Sequence, residues 1–180
     1  MTTSRQDDNP HFYAGILTIS DSGAIGERID LSGRKISEMI EMAGFKERLK
    51  DIIPDEVRII SEKLIDWSDG GEVDIILTSG GTGLGPRDVT PEATKNILEM
   101  EIPGIGEAMR IKTLDCTPFA ILSRSTAGIR SGCLIINLPG SPKGVEECLD
   151  VIMESLPHAL EMIRGWKTHK NIINQLNRRN

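Results

Sequence analysis

The sequence predicts an α/β protein whose mostly parallel sheet is covered by helices on both faces, and three observations carry that prediction. Short apolar runs rich in β-branched residues alternate along the chain with segments whose apolar residues recur at helical spacing. This is the pattern of strands joined by crossover helices. Three apolar runs end in small polar loops, at Ser20, Ser79 and Pro139, and in such sheets these strand ends converge on the ligand crevice. One of the loops, Thr78-Ser79-Gly80-Gly81-Thr82-Gly83-Leu84-Gly85-Pro86, places four glycines between a strand and a helix start. Bare backbone N–H groups beside a helix N-terminus favour phosphate or another oxyanion.

Size and composition narrow the function classes. At 180 residues the chain is one domain with room for a substantial core. A net charge of −6 argues against a nucleic-acid partner, and 3% aromatics argue against a stacking platform for single strands. Cys116, Cys133 and Cys148 form no close pair and no metal-ligand spacing, so reduced, mostly buried thiols in a cytoplasmic protein are expected. No apolar run approaches the ~20 residues of a membrane span, and the polar start MTTSRQDDNPH is unlike a signal peptide.

The elements follow in order. Residues 1–12 read as a flexible polar tail. Ala14 to Ile19 is the first strand, and it runs into the polar loop Ser20-Asp21-Ser22-Gly23 and a mobile stretch to Asp30. Ile36, Met39, Ile40 and Ala43 share a helix face, and Gly44 stops that helix. Leu49 to Ile53 is a strand closed by Pro54, and Asp55 opens a helix with Val57, Ile60, Leu64 and Trp67 on one face. Val73 to Leu77 forms the central strand. Thr90-Pro91-Glu92 has a capping hydroxyl, a first-turn proline and an acid, and Ala93, Ile97 and Met100 continue that helix. Pro103-Gly104 breaks the chain before a helix over Ile105 to Leu114. Phe119 to Leu122 and Cys133 to Leu138 read as strands, followed by a long helix to Arg164 bent at Pro157. The domain thus spans 13–165, and the basic stretch 166–180 is a loosely held tail.

The glycine loop is neither a Walker motif, lacking Gly-Lys-Ser/Thr, nor a Rossmann fingerprint, since Gly81, Gly83 and Gly85 are wrongly spaced. It reads as a tight turn or as a phosphate cradle, and Arg87-Asp88 at its mouth favours the cradle. Asp55 follows a proline at a helix start, the usual place of a capping aspartate. A cap occupies one carboxylate oxygen, so Asp55 can also be a metal ligand, and Asp88 presents the same choice. Two carboxylates near a phosphate loop suit Mg²⁺-dependent phosphoryl or nucleotidyl transfer. Ser123-Arg124-Ser125 suits a phosphate or polar ring, or is a turn with an exposed arginine. Leu138-Pro139-Gly140-Ser141-Pro142-Lys143-Gly144 holds its backbone stiffly before a helix and can line a pocket. His11, His158 and His169 are isolated and take no catalytic role. The residues therefore point to an α/β protein that binds a phosphorylated small molecule with Mg²⁺.

Several co-ordered motifs go further. Thr78-Ser79-Gly80-Gly81-Thr82-Gly83 followed by Pro86-Arg87-Asp88-Val89-Thr90-Pro91-Glu92 resembles the signature of the MogA/MoaB family of molybdenum-cofactor biosynthesis, which includes the G domain of gephyrin. Ile19-Ser20-Asp21, Ile53-Pro54-Asp55-Glu56, Leu122 to Arg130 and Leu138 to Lys143 extend the likeness over roughly residues 13–165. The resemblance implies a three-layer α/β/α fold, a homotrimer, and molybdopterin adenylyltransferase activity using ATP and Mg²⁺. It implies that Asp55 and Asp88 are the essential, metal-binding aspartates. By the same resemblance Gly80, Gly81, Thr82 and Gly83 cradle the nucleotide phosphates with Ser20, Asp21 and Arg87 nearby. Ser123 matches a pterin-side serine, Arg124 and Ser125 flank it as further candidate binding residues, and Pro139, Gly140 and Ser141 line the same pocket. It further implies hand-over of product to a molybdenum insertase. The Arg87-Asp88-Val89-Thr90-Pro91 segment resembles the active adenylyltransferase branch; the alternative is a MoaB-like, non-catalytic molybdopterin-binding or scaffold protein.

Overall fold

The computed structural model describes residues 12–165. Six strands form one sheet: β1 (Tyr13–Ile19), β2 (Lys46–Ile53), β3 (Ile75–Ser79), β4 (Met100–Glu101), β5 (Ala127–Arg130) and β6 (Cys133–Leu138), in the order β2-β1-β3-β6-β5-β4. The first four strands in that order are parallel, and β5 runs against both of its neighbours. The helices are α1 (Asp21–Ala24), α2 (Leu31–Met42), α3 (Val57–Asp69), α4 (Thr90–Lys95), α5 (Pro103–Thr113), α6 (Pro142–Ile152) and α7 (Leu156–Ile163).

Strand side chains point alternately to the two faces, so consecutive apolar residues feed two cores. Ile16, Ile75, Leu77, Leu134 and Ile136 pack against Ile36, Ile40, Met109, Leu149 and Leu156 of α2, α5, α6 and α7. Leu17, Ile76 and Ile135 pack against Ile60, Leu64, Trp67, Ala93 and Ile97 on the α3 and α4 side. The α/β/α layering follows from this alternation, each fully buried aliphatic contributing about 1.5–3 kcal/mol. Phe12, immediately before β1, is buried and its ring lies 5.9 Å from that of Phe45. Phe12, expected in the flexible tail over 1–12, is therefore packed instead; the rest of that tail, and the one over 166–180, lie outside the described residues.

Five elements differ from the sequence reading. Asp21 to Ala24, read as part of a polar loop, is the short helix α1 capped by Ser20. Phe119 to Leu122 is not a strand: Pro118–Leu122 is a 3-10 turn, with Pro118 in its first turn and the Thr117 side chain accepting from Phe119 N–H. Proline's fixed φ and that cap tighten the backbone into a turn, and Phe119 and Ile121 are left exposed. The missing strand is β5, in the stretch between the apolar runs Phe119 to Leu122 and Cys133 to Leu138, where the sequence pattern predicts no strand. Ser131 (φ 49°) and Gly132 (φ 76°) join it to β6 as a two-residue hairpin, the positive-φ geometry that matches strand twist. Met100 belongs to β4, paired with Ile129, because α4 ends at Lys95. The long C-terminal helix is interrupted at Met153–Ser155, and Pro157 sits in the first turn of α7, where its missing N–H costs nothing.

Cys133 and Cys148 are buried free thiols and Cys116 is an exposed one. Burial pushes Cys133 up to about 12 and Cys148 up to about 11, so neither is a thiolate nucleophile near neutrality. No helix among the described residues is long and apolar enough to cross a membrane.

Candidate active site

Parallel strands β1 and β2 end side by side, with Ile19 opposite Ile53, so Asp21 and Asp55 emerge together. Asp21 N–H donates to Asp55 Oδ2 at 2.9 Å, and Asp55 N–H donates to Asp21 Oδ1 at 3.0 Å. Asp55 does not cap α3: the capping position is Glu56, which makes no side-chain cap bond. Arg87 forks onto Asp21, Nε donating to Oδ2 at 3.0 Å and an Nη to Oδ1 at 2.8 Å. Arg87 is therefore engaged by Asp21 and holds that carboxylate in place.

The glycine loop runs directly past both aspartates. At Gly81 (φ +62°) a side chain would press on Thr90 Oγ1 and come within 3.1 Å of Asp55 Oδ1. At Gly80 (φ +105°) it would strike the carbonyl oxygen of Ile19. Only glycine fits either position. Further along, a side chain at Gly83 would come within 2.9 Å of Asp88 Oδ2. Asp88 spends that oxygen on Gly85 N–H at 2.7 Å. It does not cap α4, whose capping residue Val89 makes no side-chain bond. Oδ1 of Asp55 and of Asp88 therefore makes no hydrogen bond among the described residues. Thr90 Oγ1 is likewise buried without a partner against Gly81.

Other loops hold this arrangement. Ser79 Oγ donates to Pro139 C=O at 2.9 Å, and Ser32 Oγ to Gly140 C=O at 2.7 Å. Arg124, expected to meet a ligand, clamps the loop: Nε donates to Gly83 C=O at 2.7 Å, and its two Nη groups hold Glu92 and the Asp88 carbonyl. Arg110, which the sequence reading passed over, donates to the carbonyls of Ser123 and Ser125 at 3.3 and 3.0 Å. Ser123 Oγ in turn donates to Ser125 Oγ at 3.0 Å. An arginine in the last turn of a helix carries no sequence signal that it serves a loop beyond that helix's end. Ser141 caps α6 by accepting from Gly144 N–H at 3.1 Å. Ser20 caps α1 in the same way through Gly23 N–H.

Two cavities flank the loop. One of about 200 Å³ is lined by Ser20, Asp55, Ser79, Gly80, Gly81 and Arg28 among others. The other, of about 620 Å³, includes Thr82, Gly83, Arg110, Ser123, Pro139 and Ser141, with Leu84, Met109, Phe119 and Leu122 as apolar lining. Gly140 borders both. The small cavity has the character of a phosphate site and the large one that of a site for a ring system. His158 is exposed on α7, and His11 and His169 lie outside the described residues.

The two neighbouring aspartates are driven apart electrostatically. The hydrogen bonds from Arg87 hold Asp21 below its ordinary value. Asp55 is pushed above its ordinary value by burial first, and the charges of Asp21 and Asp88 add to that, while Asp21 N–H and Arg87 oppose it. Among the described residues no three histidine, cysteine or acidic side chains cluster as a metal cage. Two carboxylates with a free oxygen each, beside a phosphate cradle, are nonetheless the donor set that suits Mg²⁺, which takes few protein ligands plus substrate phosphates.

A family model described as a probable molybdopterin binding domain matches residues 15–158. The chain belongs to this molybdopterin-binding family. A molybdopterin adenylyltransferase of Helicobacter pylori (strain J99) is 42% identical over 155 residues, covering 85% of this chain and 88% of that one. A molybdopterin adenylyltransferase of Escherichia coli K12 is 36% identical over 166 residues, covering 84% and 85%. Among solved structures, the molybdopterin biosynthesis enzyme MoaB from Thermus thermophilus superposes with a TM-score of 0.81 at 48% identity, covering 86% of this chain and 97% of that one. The family resemblance and the α/β fold read from the sequence hold.

Proposed function

We propose that this member of the molybdopterin-binding family is a molybdopterin adenylyltransferase that transfers AMP from ATP to molybdopterin and releases pyrophosphate. The convergence of Asp55 and Asp88 on Gly81 and Gly83, each with one carboxylate oxygen left over, carries the reading. The names of relatives 36–42% identical over most of the chain support it.

The chemistry needs no nucleophilic side chain. A terminal phosphate oxygen of molybdopterin attacks the α-phosphorus of ATP; one P–O bond forms there, the α–β bridge breaks, and pyrophosphate leaves with the electron pair. As a dianion the attacking phosphate has no proton to lose, so the lack of a histidine base is no obstacle. Bound Mg²⁺, held by Asp55 and Asp88, would neutralise charge on the phosphates. The backbone of Gly80 to Gly83 orients the phosphate chain, and the Arg110 and Arg124 clamps keep Ser123 and the loop in place, so catalysis rests on positioning and electrostatics. Molybdopterin occupies the larger cavity by Ser123, Pro139, Gly140 and Ser141; the nucleotide phosphates occupy the smaller. A homotrimer, hand-over to a molybdenum insertase and a cytoplasmic location belong to the same proposal.

The other reading, molybdopterin binding without transfer, draws on the matched family model, whose description speaks only of a probable molybdopterin binding domain. A purely binding role gives no chemical reason for the two free carboxylate oxygens beside the loop. Incubation with molybdopterin, Mg²⁺ and ATP labelled at the α-phosphate tests the proposal. Label moving into the pterin is the expected result; label remaining in nucleotide would rule out adenylyl transfer.

A further inference from the structure

The small cavity must receive the most highly charged part of ATP, yet its lining carries two acidic side chains, Asp30 and Asp55, and a single side-chain cation, Arg28. Asp30 is fully engaged: Oδ1 accepts from Gly33 N–H at 2.8 Å and Oδ2 from Thr18 Oγ1 at 2.8 Å. The arginines nearer the glycine loop are engaged as well, Arg87 by Asp21, Arg124 by the loop itself and Arg110 by the Ser123 turn. Arg28 is different. It is exposed, lies in the irregular stretch between α1 and α2, and makes no hydrogen bond or ion pair among the described residues. Its neighbours Ile25 and Ile29 are 70% and 66% exposed, so the stretch is not held down by packing.

We infer that Arg28 is the side chain that pairs with the β- and γ-phosphates of the nucleotide, and with pyrophosphate once transfer has occurred. The inference rests on the adenylyltransfer reading and names the group that completes its phosphate site. A guanidinium presents a planar fork of donors that meets phosphate oxygens in pairs. Asp55, with its free oxygen, and Arg28, with its free fork, both line this cavity and so provide for the cation and the anion of a metal–polyphosphate together. The stretch around Arg28 was legible in sequence only as mobile; the cavity gives it a role.

The test uses the full chain with Arg28→Ala and Arg28→Lys, and Arg34→Ala as a control at an exposed arginine outside this cavity. Arg28→Ala is expected to raise the KM for ATP and the inhibition constant for pyrophosphate about tenfold or more, the scale of a charged hydrogen bond. The KM for molybdopterin and the melting temperature should stay as in wild type, and Arg28→Lys should recover part of the loss. A merely structural role would move the pterin KM or the melting temperature instead. Calorimetric titration of pyrophosphate in Mg²⁺ separates the two claims. Wild type that binds pyrophosphate but makes no product, with binding lost in Arg28→Ala, overturns adenylyl transfer and keeps Arg28. Equal binding by wild type and Arg28→Ala, or no binding by wild type, overturns the role of Arg28.

Discussion

Asp21 and Asp55 are joined by a reciprocal pair of hydrogen bonds, each backbone N–H donating to the other's carboxylate at 2.9 and 3.0 Å. Two parallel strand ends are thereby tied through side chains that would otherwise repel, and Arg87 makes the tie possible by neutralising Asp21. The consequence is asymmetric. Asp21, below its ordinary value, contributes stability that is present above its unfolded pKa and lost as pH falls through the folded one. Asp55, above its ordinary value, contributes stability that is present below its unfolded pKa and lost as pH rises through the folded one.

Arg87→Gln removes the main cause of the Asp21 depression and one of the influences that keep Asp55 down. If ionised Asp55 is required for transfer, the acidic limb of kcat/KM moves to higher pH in the variant. A pH–rate profile of both proteins checks this; an unmoved limb, or one moved to lower pH, contradicts it.

Asp55→Asn and Asp88→Asn keep an oxygen for the N–H groups of Asp21 and Gly85 but lose the charge. Activity should fall by about 100-fold or more, the scale of losing one preorganised electrostatic group. The melting temperature should change by only a few degrees, since neither carboxylate caps a helix. Asp55→Asn also removes a carboxylate that burial disfavours, so its stability relative to wild type should improve as pH rises from acid. Thermal melts across pH read the sign.

Gly81→Ala meets two penalties, positive φ and contact with Thr90, whereas Gly44→Ala, at φ +86°, meets open space. Each pays about 1–2 kcal/mol for the left-handed backbone. Gly81→Ala should be the less stable by denaturant titration and should lose transfer, while Gly44→Ala keeps full activity. Equal stabilities, or an active Gly81→Ala, would contradict the account of the loop.

Arg124→Lys tests the clamp. A lysine supplies one ammonium where the guanidinium now holds the Gly83 and Asp88 carbonyls and the Glu92 carboxylate together. Transfer should slow about tenfold or more, consistent with a small misplacement of the cradle, with little change in molybdopterin affinity by equilibrium titration. Loss of pterin binding with normal turnover would show that Arg124 meets the ligand instead.

Both cores and the site's main chain were legible because they rest on local pattern. Ile16 with Leu17, and Ile75 with Ile76, announce a strand buried on two sides, and Thr78 to Pro86 announces a glycine cradle. What escaped depends on contacts distant in sequence. β5 is a strand only because Ser131-Gly132 folds it onto β6, and its residues Ala127 to Arg130 carry no alternation. Asp55 looked like a cap until Asp21, 34 residues earlier, turned out to be its partner. Arg124 and Arg110 looked exposed or unremarked because the carbonyls they hold lie in other segments. Phe119 to Leu122 matched a strand in composition, and Pro118 with the Thr117 cap overrode it.

The central claim is that the two aspartates beside the glycine loop serve transfer rather than binding, and a single-turnover comparison of wild type with Asp88→Asn tests it most directly. Both proteins would be loaded with molybdopterin, mixed with ATP and Mg²⁺, and followed for adenylylated pterin while pterin occupancy is measured in the same samples. The account predicts equal occupancy, product from the wild type and almost none from the variant. Equal occupancy with no product from either protein, or the same rate from both, would contradict it.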